Sequence, residues 1–133
     1  MEKKIKLKIT TISSNNPVNV LKGEGVYYEK DGKILIKHID KEGNMTSMII
    51  TDEKILLSRK SQYYQLKIPI RENEKTLGIM GEESTFTVLG KTACFHKDEK
   101  RGSVKLEYTL PDLSDEVTHF NIDAEFEFLK GNL

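Results

Sequence analysis

Several side chains of this sequence could bind or react with a ligand, and among them Arg59 has the most informative position. Arg59 follows Ile55 and Leu57 at a spacing of two, which puts the three side chains on one face of a β-strand. If that face looks into a barrel, the guanidinium needs a carboxylate, tyrosine hydroxyls or an anionic ligand, because burying an unpaired charge is costly. In the other phase Leu56 points inward and Arg59 is a surface charge. The strand begins Ile-Leu-Leu, so its own sequence leaves both phases open.

Two later strands supply apolar side chains that could line the same interior. Tyr108 alternates in phase with Leu106, and Phe126 belongs to a row of apolar residues on every second position near the end of the chain. A buried tyrosine hydroxyl also needs a hydrogen-bond partner. We therefore predict Arg59, Leu57, Tyr108, Leu106 and Phe126 as ligand-binding residues. The alternative is that these apolar side chains are plain core.

Catalytic and metal-binding constellations cannot be picked out by spacing. His38, His96 and His119 are far apart in the sequence and have no metal-ligand spacing. Cys94 shares a strand face with His96, but side chains two residues apart on a strand diverge by about 7 Å, so we expect an inert cysteine. The sequence has no nucleophile elbow and no glycine-rich loop followed by a helix. We expect no catalytic residue, no metal and no cofactor, although an enzyme whose residues meet only in the folded chain is a third hypothesis.

Composition narrows the class of protein. A chain of 133 residues is expected to form one domain over residues 1–133. The 21 basic and 21 acidic residues cancel, which argues against a nucleic-acid binder. The single Cys94 excludes an internal disulfide, and no apolar run exceeds three residues, so neither a membrane span nor a signal peptide is predicted. We expect a cytoplasmic protein.

The recurrent period along the chain is two, which predicts an all-β protein of eight to ten strands separated by turns. Asp31-Gly32 between apolar segments predicts a tight hairpin, because both residues tolerate positive φ. Gly23 and Gly25 interrupt the second strand and favour a bulge or a bend there. Gly90 is expected to divide two strands at 85–89 and 91–97. A further strand is predicted over 63–70, which would put Tyr63 and Tyr64 on opposite faces.

The first and last strands complement each other. Lys4, Lys6 and Lys8 form a basic row at the start of the chain, and the carboxylates of residues 121–127 form an acidic row at its end. Antiparallel pairing would join the two apolar faces and place opposite charges side by side, which stabilises a sheet by about 0.2–1 kcal/mol per pair. This pairing predicts a closed antiparallel barrel, because it removes both sheet edges. The alternative is a sandwich with two charged edge strands.

Three segments carry a resemblance to a known family. They are Gly-Val-Tyr-Tyr at 25–28 with the hairpin and strand that follow, Ile55–Lys60, and residues 100–110 with their glycine, alternating apolar residues and tyrosine. In these segments the chain resembles the YwiB-like family of small bacterial proteins, for which no activity is established. The resemblance implies a calycin-like or lipocalin-like β-barrel. The chain departs from the family at 81–86, where relatives tend to have a Thr-Pro-Tyr-Gly-like element.

Two functions from different classes are consistent with these observations. The first is a non-enzymatic barrel that binds a small apolar or amphipathic ligand, with an anionic group of that ligand facing Arg59. The second is a structural or interaction protein with a filled barrel that acts through its outer surface or as a homodimer. The large side chains expected inside argue against a roomy cavity in either case.

Overall fold

Ten antiparallel strands form a closed barrel in the computed structural model, which describes residues 2–14, 16–111 and 117–129. The strands are β1 (Glu2–Ser13), β2 (Asn16–Lys30), β3 (Lys33–Ile39), β4 (Met45–Ile50), β5 (Ile55–Lys60), β6 (Gln65–Ile70), β7 (Lys75–Met80), β8 (Ser84–Lys97), β9 (Arg101–Leu110) and β10 (Thr118–Phe128). Each strand pairs with its neighbour in sequence, and β1 pairs with β10 to close the ring. The predicted all-β barrel is confirmed, at the upper limit of the expected strand number.

Closure of the barrel follows the predicted pairing of the chain ends. In the antiparallel register of β1 and β10, Lys6 lies opposite Glu127 and Lys8 lies opposite Glu125. On the inner face the same register brings Leu7 opposite Phe126, and both side chains are 2% exposed. The alternation of charged and apolar residues therefore decides both which strands meet and which face is buried.

The predicted glycine turn is confirmed, whereas the bulge predicted at two other glycines is not found. Asp31 and Gly32 form the expected hairpin turn, with φ of 52° and 78°. Gly23 and Gly25, however, do not mark a bulge, because the irregularity between β1 and β2 falls between Thr11 and Ser13. A Cβ at Gly23 would lie 2.5 Å from the His38 ring, and one at Gly25 would lie 2.5 Å from the Lys37 carbonyl oxygen. These two positions lack a side chain because neighbouring groups occupy the space.

Two predicted strand boundaries were wrong. Gly90 does not divide two strands, because β8 runs through it and absorbs the extra residue as an irregularity between Gly90 and Thr92. β6 begins at Gln65, so Tyr63 and Tyr64 lie in the preceding turn and are both exposed, at 86% and 50%. The segment 111–117, expected to form at most a helical turn, falls largely outside the described residues.

The middle of the barrel is filled by aliphatic and aromatic side chains. Leu106, Val88 and Ile70 are fully buried in one cluster that receives residues from every strand except β7. Polar groups can face inward only near the two ends, where water or a ligand can reach them. We name these ends after their arginines: the Arg59 end carries the turns at 40–44, 61–64 and 81–83, and the Arg71 end carries those at 31–32, 51–54, 71–74 and 98–100. Among the described residues there is no helix that could cross a membrane.

Candidate functional site

Arg59 points into the barrel. It lies on the same face of β5 as Ile55 and Leu57, which are 3% and 5% exposed. The long-range register settles the phase, because Leu57 pairs opposite the buried Met48 of β4. Of the two orientations that the sequence leaves open, the structure has the inward one, and Arg59 is partly buried near the end of the barrel.

Inward side chains from five neighbouring strands form a row across the Arg59 end. The register of β3 to β7 places them opposite one another in the order His38, Thr46, Arg59, Leu66 and Met80. Side chains directly opposite on adjacent strands lie about 4.5–5.5 Å apart at Cβ. The row is therefore polar on one side of the guanidinium and apolar on the other. We call it the Arg59 row.

His38 is a member of the Arg59 row that the sequence did not predict as a site residue. His38 is 7% exposed, and its ring packs against Gly23, which has no side chain. Its Nδ1 lies 2.8 Å from the carbonyl oxygen of Glu24, so this nitrogen carries the proton and donates. The hydrogen bond fixes the ring and leaves Nε2 as an acceptor in the neutral form.

Tyr108 approaches Arg59 from β9. It is 4% exposed and stacks on Phe120 with ring centroids 5.1 Å apart. Burial raises the pKa of Tyr108 well above its ordinary value, and the positive charge of Arg59 acts in the opposite direction. The hydroxyl stays protonated at neutral pH and can donate a hydrogen bond. Arg59, Tyr108 and the Thr46 hydroxyl are thus three hydrogen-bond donors near one end of the barrel.

The charge of Arg59 has no acidic partner in the described part of the chain. Within residues 2–14, 16–111 and 117–129 its guanidinium forms no ion pair with a carboxylate. Arg71 provides the contrast, because it pairs with Glu53 at 3.1 Å and with Glu74 at 3.4 Å. Of these two arginines, Arg59 is the one whose charge is not offset by a described carboxylate.

The other predicted site residues are buried in the barrel wall. Leu57 adjoins Arg59, whereas Leu106 is 0% exposed in the middle of the core. Phe126 lies toward the Arg71 end, where its ring is 6.4 Å from that of Phe95 and 5.7 Å from that of Tyr27. The structure thus brings Arg59, Leu57 and Tyr108 to one end and does not bring Phe126 to them.

A cleft opens at the Arg71 end. It has a volume of about 670 Å³, within the roughly 300–1,000 Å³ of small-ligand pockets. Its floor consists of inward side chains from β3, β4, β5 and β8: Ile34, Ile50, Ile55, Ala93 and Phe95. Its rim consists of the turns at 51–54 and 71–74 with Gly32. The cleft is the open mouth of the barrel and has no part in the Arg59 row.

A second concavity, of about 960 Å³, lies on the outer surface around the β1–β10 seam. Its charged lining consists of the cations Lys6, Lys8, Lys22, Lys97 and Arg101 and the carboxylates Glu24, Asp98, Glu125 and Glu127. Because strand pairing sets opposite signs beside each other, this surface has little net field to attract a charged ligand.

Cys94 has the surroundings of an unreactive thiol. Its sulfur donates to Glu72 Oε1 at 3.4 Å, from β8 to the turn at 71–74. Burial and the Glu72 carboxylate raise the pKa of Cys94, which disfavours the nucleophilic thiolate. Among the described residues, no three His, Cys, Asp or Glu side chains gather in a group that could hold a metal ion.

The ionisation of the Tyr27 hydroxyl at high pH tests the packing at the Arg71 end of the barrel. Its hydroxyl donates to Glu29 Oε2 at 3.1 Å. Burial, followed by the Glu29 carboxylate, raises the pKa of Tyr27 from 10.0 to about 12. The folded state disfavours the phenolate, so this tyrosine's contribution to the free energy of unfolding is fully present below about pH 10 and is lost as the pH rises toward 12.

We expect Tyr27→Phe to remove a late-titrating component from the tyrosinate absorbance curve and to flatten the alkaline fall in stability. Tyr63→Phe, an exposed turn position, is the matched control and should leave that component in place. Identical alkaline titration and denaturation curves for wild type and Tyr27→Phe would contradict the assignment.

Comparison with known proteins adds one structural relative. No protein-family model and no curated protein sequence matches the chain. The crystal structure of the ywiB protein from Bacillus subtilis matches with a TM-score of 0.77, covering 96% of this chain and 93% of that one. The chain has the YwiB fold. At 15% identity the likeness extends to the fold alone.

Sequence reasoning missed the side chains that complete the ends of this YwiB-fold barrel. His38 and Thr46 join Arg59 only through the register of β3, β4 and β5. Gly23 gave a usable signal, since glycine in a strand also marks a close approach of another group. No sequence signal pointed to the cleft at the Arg71 end, because the residues that line it come from four strands and three turns.

Proposed function

We propose that this protein is a non-enzymatic binding protein that takes a small amphipathic anion at the Arg59 end of its barrel. The observation that carries the proposal is the inward, partly buried guanidinium that no described carboxylate neutralises. Keeping such a charge near an apolar interior is costly unless an anion completes it. A carboxylate or phosphate group matches the planar, forked donors of arginine.

The Arg59 row also supports the amphipathic character of the ligand. Thr46 and the protonated Tyr108 hydroxyl can donate to the anionic group beside Arg59. Leu66 and Met80 continue the row on the other side, and Met80 is 41% exposed. A short apolar tail would cover these side chains. The filled middle of the barrel restricts the ligand to this end.

We also propose that the barrel is calycin-like, which the fold shared with the ywiB protein of Bacillus subtilis supports. The cytoplasmic location expected from the sequence remains part of the proposal. A first measurement is native mass spectrometry of the purified protein before and after organic extraction. A small co-purifying acid would support the proposal and identify its class.

We expect Arg59→Ala to weaken the binding of octanoate about 10- to 100-fold, because hydrogen bonds to a charged group contribute about 1.5–3 kcal/mol. Calorimetric titration of wild type and variant measures the effect, and octanol, which has no charge, should bind both proteins equally.

Arg71→Ala is the matched control for Arg59→Ala. It removes the same charge at the other end of the barrel and should leave octanoate affinity unchanged. Thermal unfolding of each variant checks that the barrel remains folded. Octanoate affinity equal to wild type in folded Arg59→Ala, or no octanoate binding by wild type, would contradict the proposal.

Exposed apolar side chains on the outer surface favour a second candidate function, that of an interaction protein or homodimer. Leu77 and Ile79 lie two residues apart on β7, Leu89 of β8 is diagonal to Leu77, and the three are 60%, 42% and 42% exposed. Contiguous exposed apolar surface is typical of contact sites. Light scattering coupled to size exclusion tests this candidate: a dimer that Leu77→Glu converts to a monomer would favour it.

A further inference from the structure

We infer that the cleft at the Arg71 end is a second binding site, and that it takes a small organic cation with an apolar body, such as an alkyl or aryl ammonium ion. The cleft has the volume of a ligand pocket, about 670 Å³, and an apolar floor that includes the ring of Phe95. That floor is part of the barrel interior and would bury the body of a ligand. The inference is independent of the anion proposed for the other end.

The cleft is held open by the way the 71–74 turn docks on β8. Register pairs join β6 to β7 only at Leu66–Met80 and Lys67–Ile79, near the Arg59 end. Toward the Arg71 end no register pair joins the two strands, and the Thr76 hydroxyl of β7 donates to the Pro69 carbonyl oxygen of β6. The turn lies against β8, where the Gly90 amide donates to the Glu74 carbonyl at 2.9 Å. A Cβ at Gly90 would overlap the Arg71 carbonyl oxygen, so only glycine permits this approach.

The positive charge of Arg71 is offset by two carboxylates of the rim. Its side chain is bound by Glu53 and Glu74, which also tie the 51–54 turn to the 71–74 turn across the rim. The two ion pairs link two sides of the cleft. A preformed cleft binds a ligand without first ordering its own walls.

The charged residues of the rim determine whether the cleft favours a cationic or an anionic ligand. The residues that line the cleft include four acidic ones, Asp52, Glu53, Glu72 and Glu74, and two basic ones, Lys54 and Arg71. After Arg71 is counted against its two partners, the rim keeps an excess of negative charge. An ammonium group at the rim would lie beside carboxylates, while its hydrocarbon part rests on the floor. Phe95 adds an aromatic ring of the kind that attracts cations.

Binding of octylammonium, measured by calorimetry at low salt, tests the inference, with octanol and octanoate as neutral and anionic counterparts. We expect octylammonium to bind wild type at least about tenfold more tightly than octanol. Amide chemical-shift changes on its addition should centre on Gly32, Ala93 and Phe95. Equal affinity for octanol, or shift changes centred on Thr46 and Arg59, would overturn the inference.

Two double variants distinguish an effect of the negative charge at the rim from a general effect of removing two carboxylates. Asp52→Asn combined with Glu72→Gln leaves the Arg71 ion pairs in place and should weaken octylammonium binding about tenfold or more. Glu82→Gln combined with Glu83→Gln makes the same charge change in the 81–83 turn at the Arg59 end and should have no effect. Equal affinities for the two double variants would overturn the inference. Arg59→Ala should leave octylammonium binding unchanged, so the two sites can fail separately.

Discussion

Deletion of residues 1–10 is expected to abolish the cooperative unfolding transition of this protein. The deletion removes most of β1, which is bonded to β2 on one side and to β10 on the other. It removes Ile5, Leu7 and Ile9, which are 0%, 2% and 4% exposed. Burial of one such side chain contributes about 1.5–3 kcal/mol, so the three contribute about 5–9 kcal/mol. That is comparable with the whole stability of a small domain, about 5–15 kcal/mol.

The deletion also opens the ring, because it leaves β2 and β10 as unpaired edges that can join another chain. Far-ultraviolet circular dichroism during heating measures the loss, and aggregation at low temperature is expected. Lys6→Ser combined with Lys8→Ser is the control, since it removes the charges opposite Glu127 and Glu125 but keeps the strand. This variant should unfold cooperatively, with a loss of at most about 1 kcal/mol per pair. A deletion variant that melts like the full chain would rule out the structural role of β1.

The closure could be predicted from the sequence because it depends on patterns that each strand carries alone. Alternation in β1 and β10 shows which face is buried, and opposite charges on the other face show that the two strands fit. The Asp31-Gly32 turn is equally local, since its geometry depends on two residues. Where the information was within one strand or one turn, the sequence was sufficient.

The phase of β5 could not be predicted, because both of its faces begin with an apolar residue. Its orientation is decided by Met48 on one side and Ile68 on the other, which pair with Leu57 on the buried face. Gly90 was misread for a related reason. A glycine in a strand can end the strand, bend it or admit another group, and here the Arg71 carbonyl from a distant turn occupies the space. The phase of β5 and the role of Gly90 are thus decided by contacts with other strands and turns, which the sequence of a single strand does not show.

The two arginines show why the site itself was only partly predictable. Both arginines lie near an end of the barrel, Arg59 on the inner face of β5 and Arg71 in the turn after β6. Arg71 meets Glu53 and Glu74 from neighbouring turns, whereas Arg59 meets Thr46 and Leu66 across its strand. Residue type alone did not distinguish them. Their different surroundings support the anion site proposed at one end and the cation site inferred at the other.

Packing between Gly78 and Phe86 is expected to dominate the stability of β7. The two residues face each other across β7 and β8, and a Cβ at Gly78 would overlap the Phe86 ring. Phe86 is 5% exposed, so its ring has little room to move. We expect Gly78→Ala to lower the free energy of unfolding by about 1–3 kcal/mol, as other overpacked sites do.

The effect of Gly78→Ala on the free energy of unfolding should change sign when the Phe86 ring is absent. In a Phe86→Leu background the space above Gly78 is open, and alanine is favoured over glycine inside a strand by about 0.5–1 kcal/mol. Denaturant unfolding of wild type, both single variants and the double variant gives the coupling free energy, which we expect to exceed about 1 kcal/mol. Leu77→Ala, at a neighbouring side chain that is 60% exposed, should change stability by less than about 0.5 kcal/mol. If the two single effects simply add, the ring is not what excludes a side chain at position 78, and β7 is held mainly by its backbone.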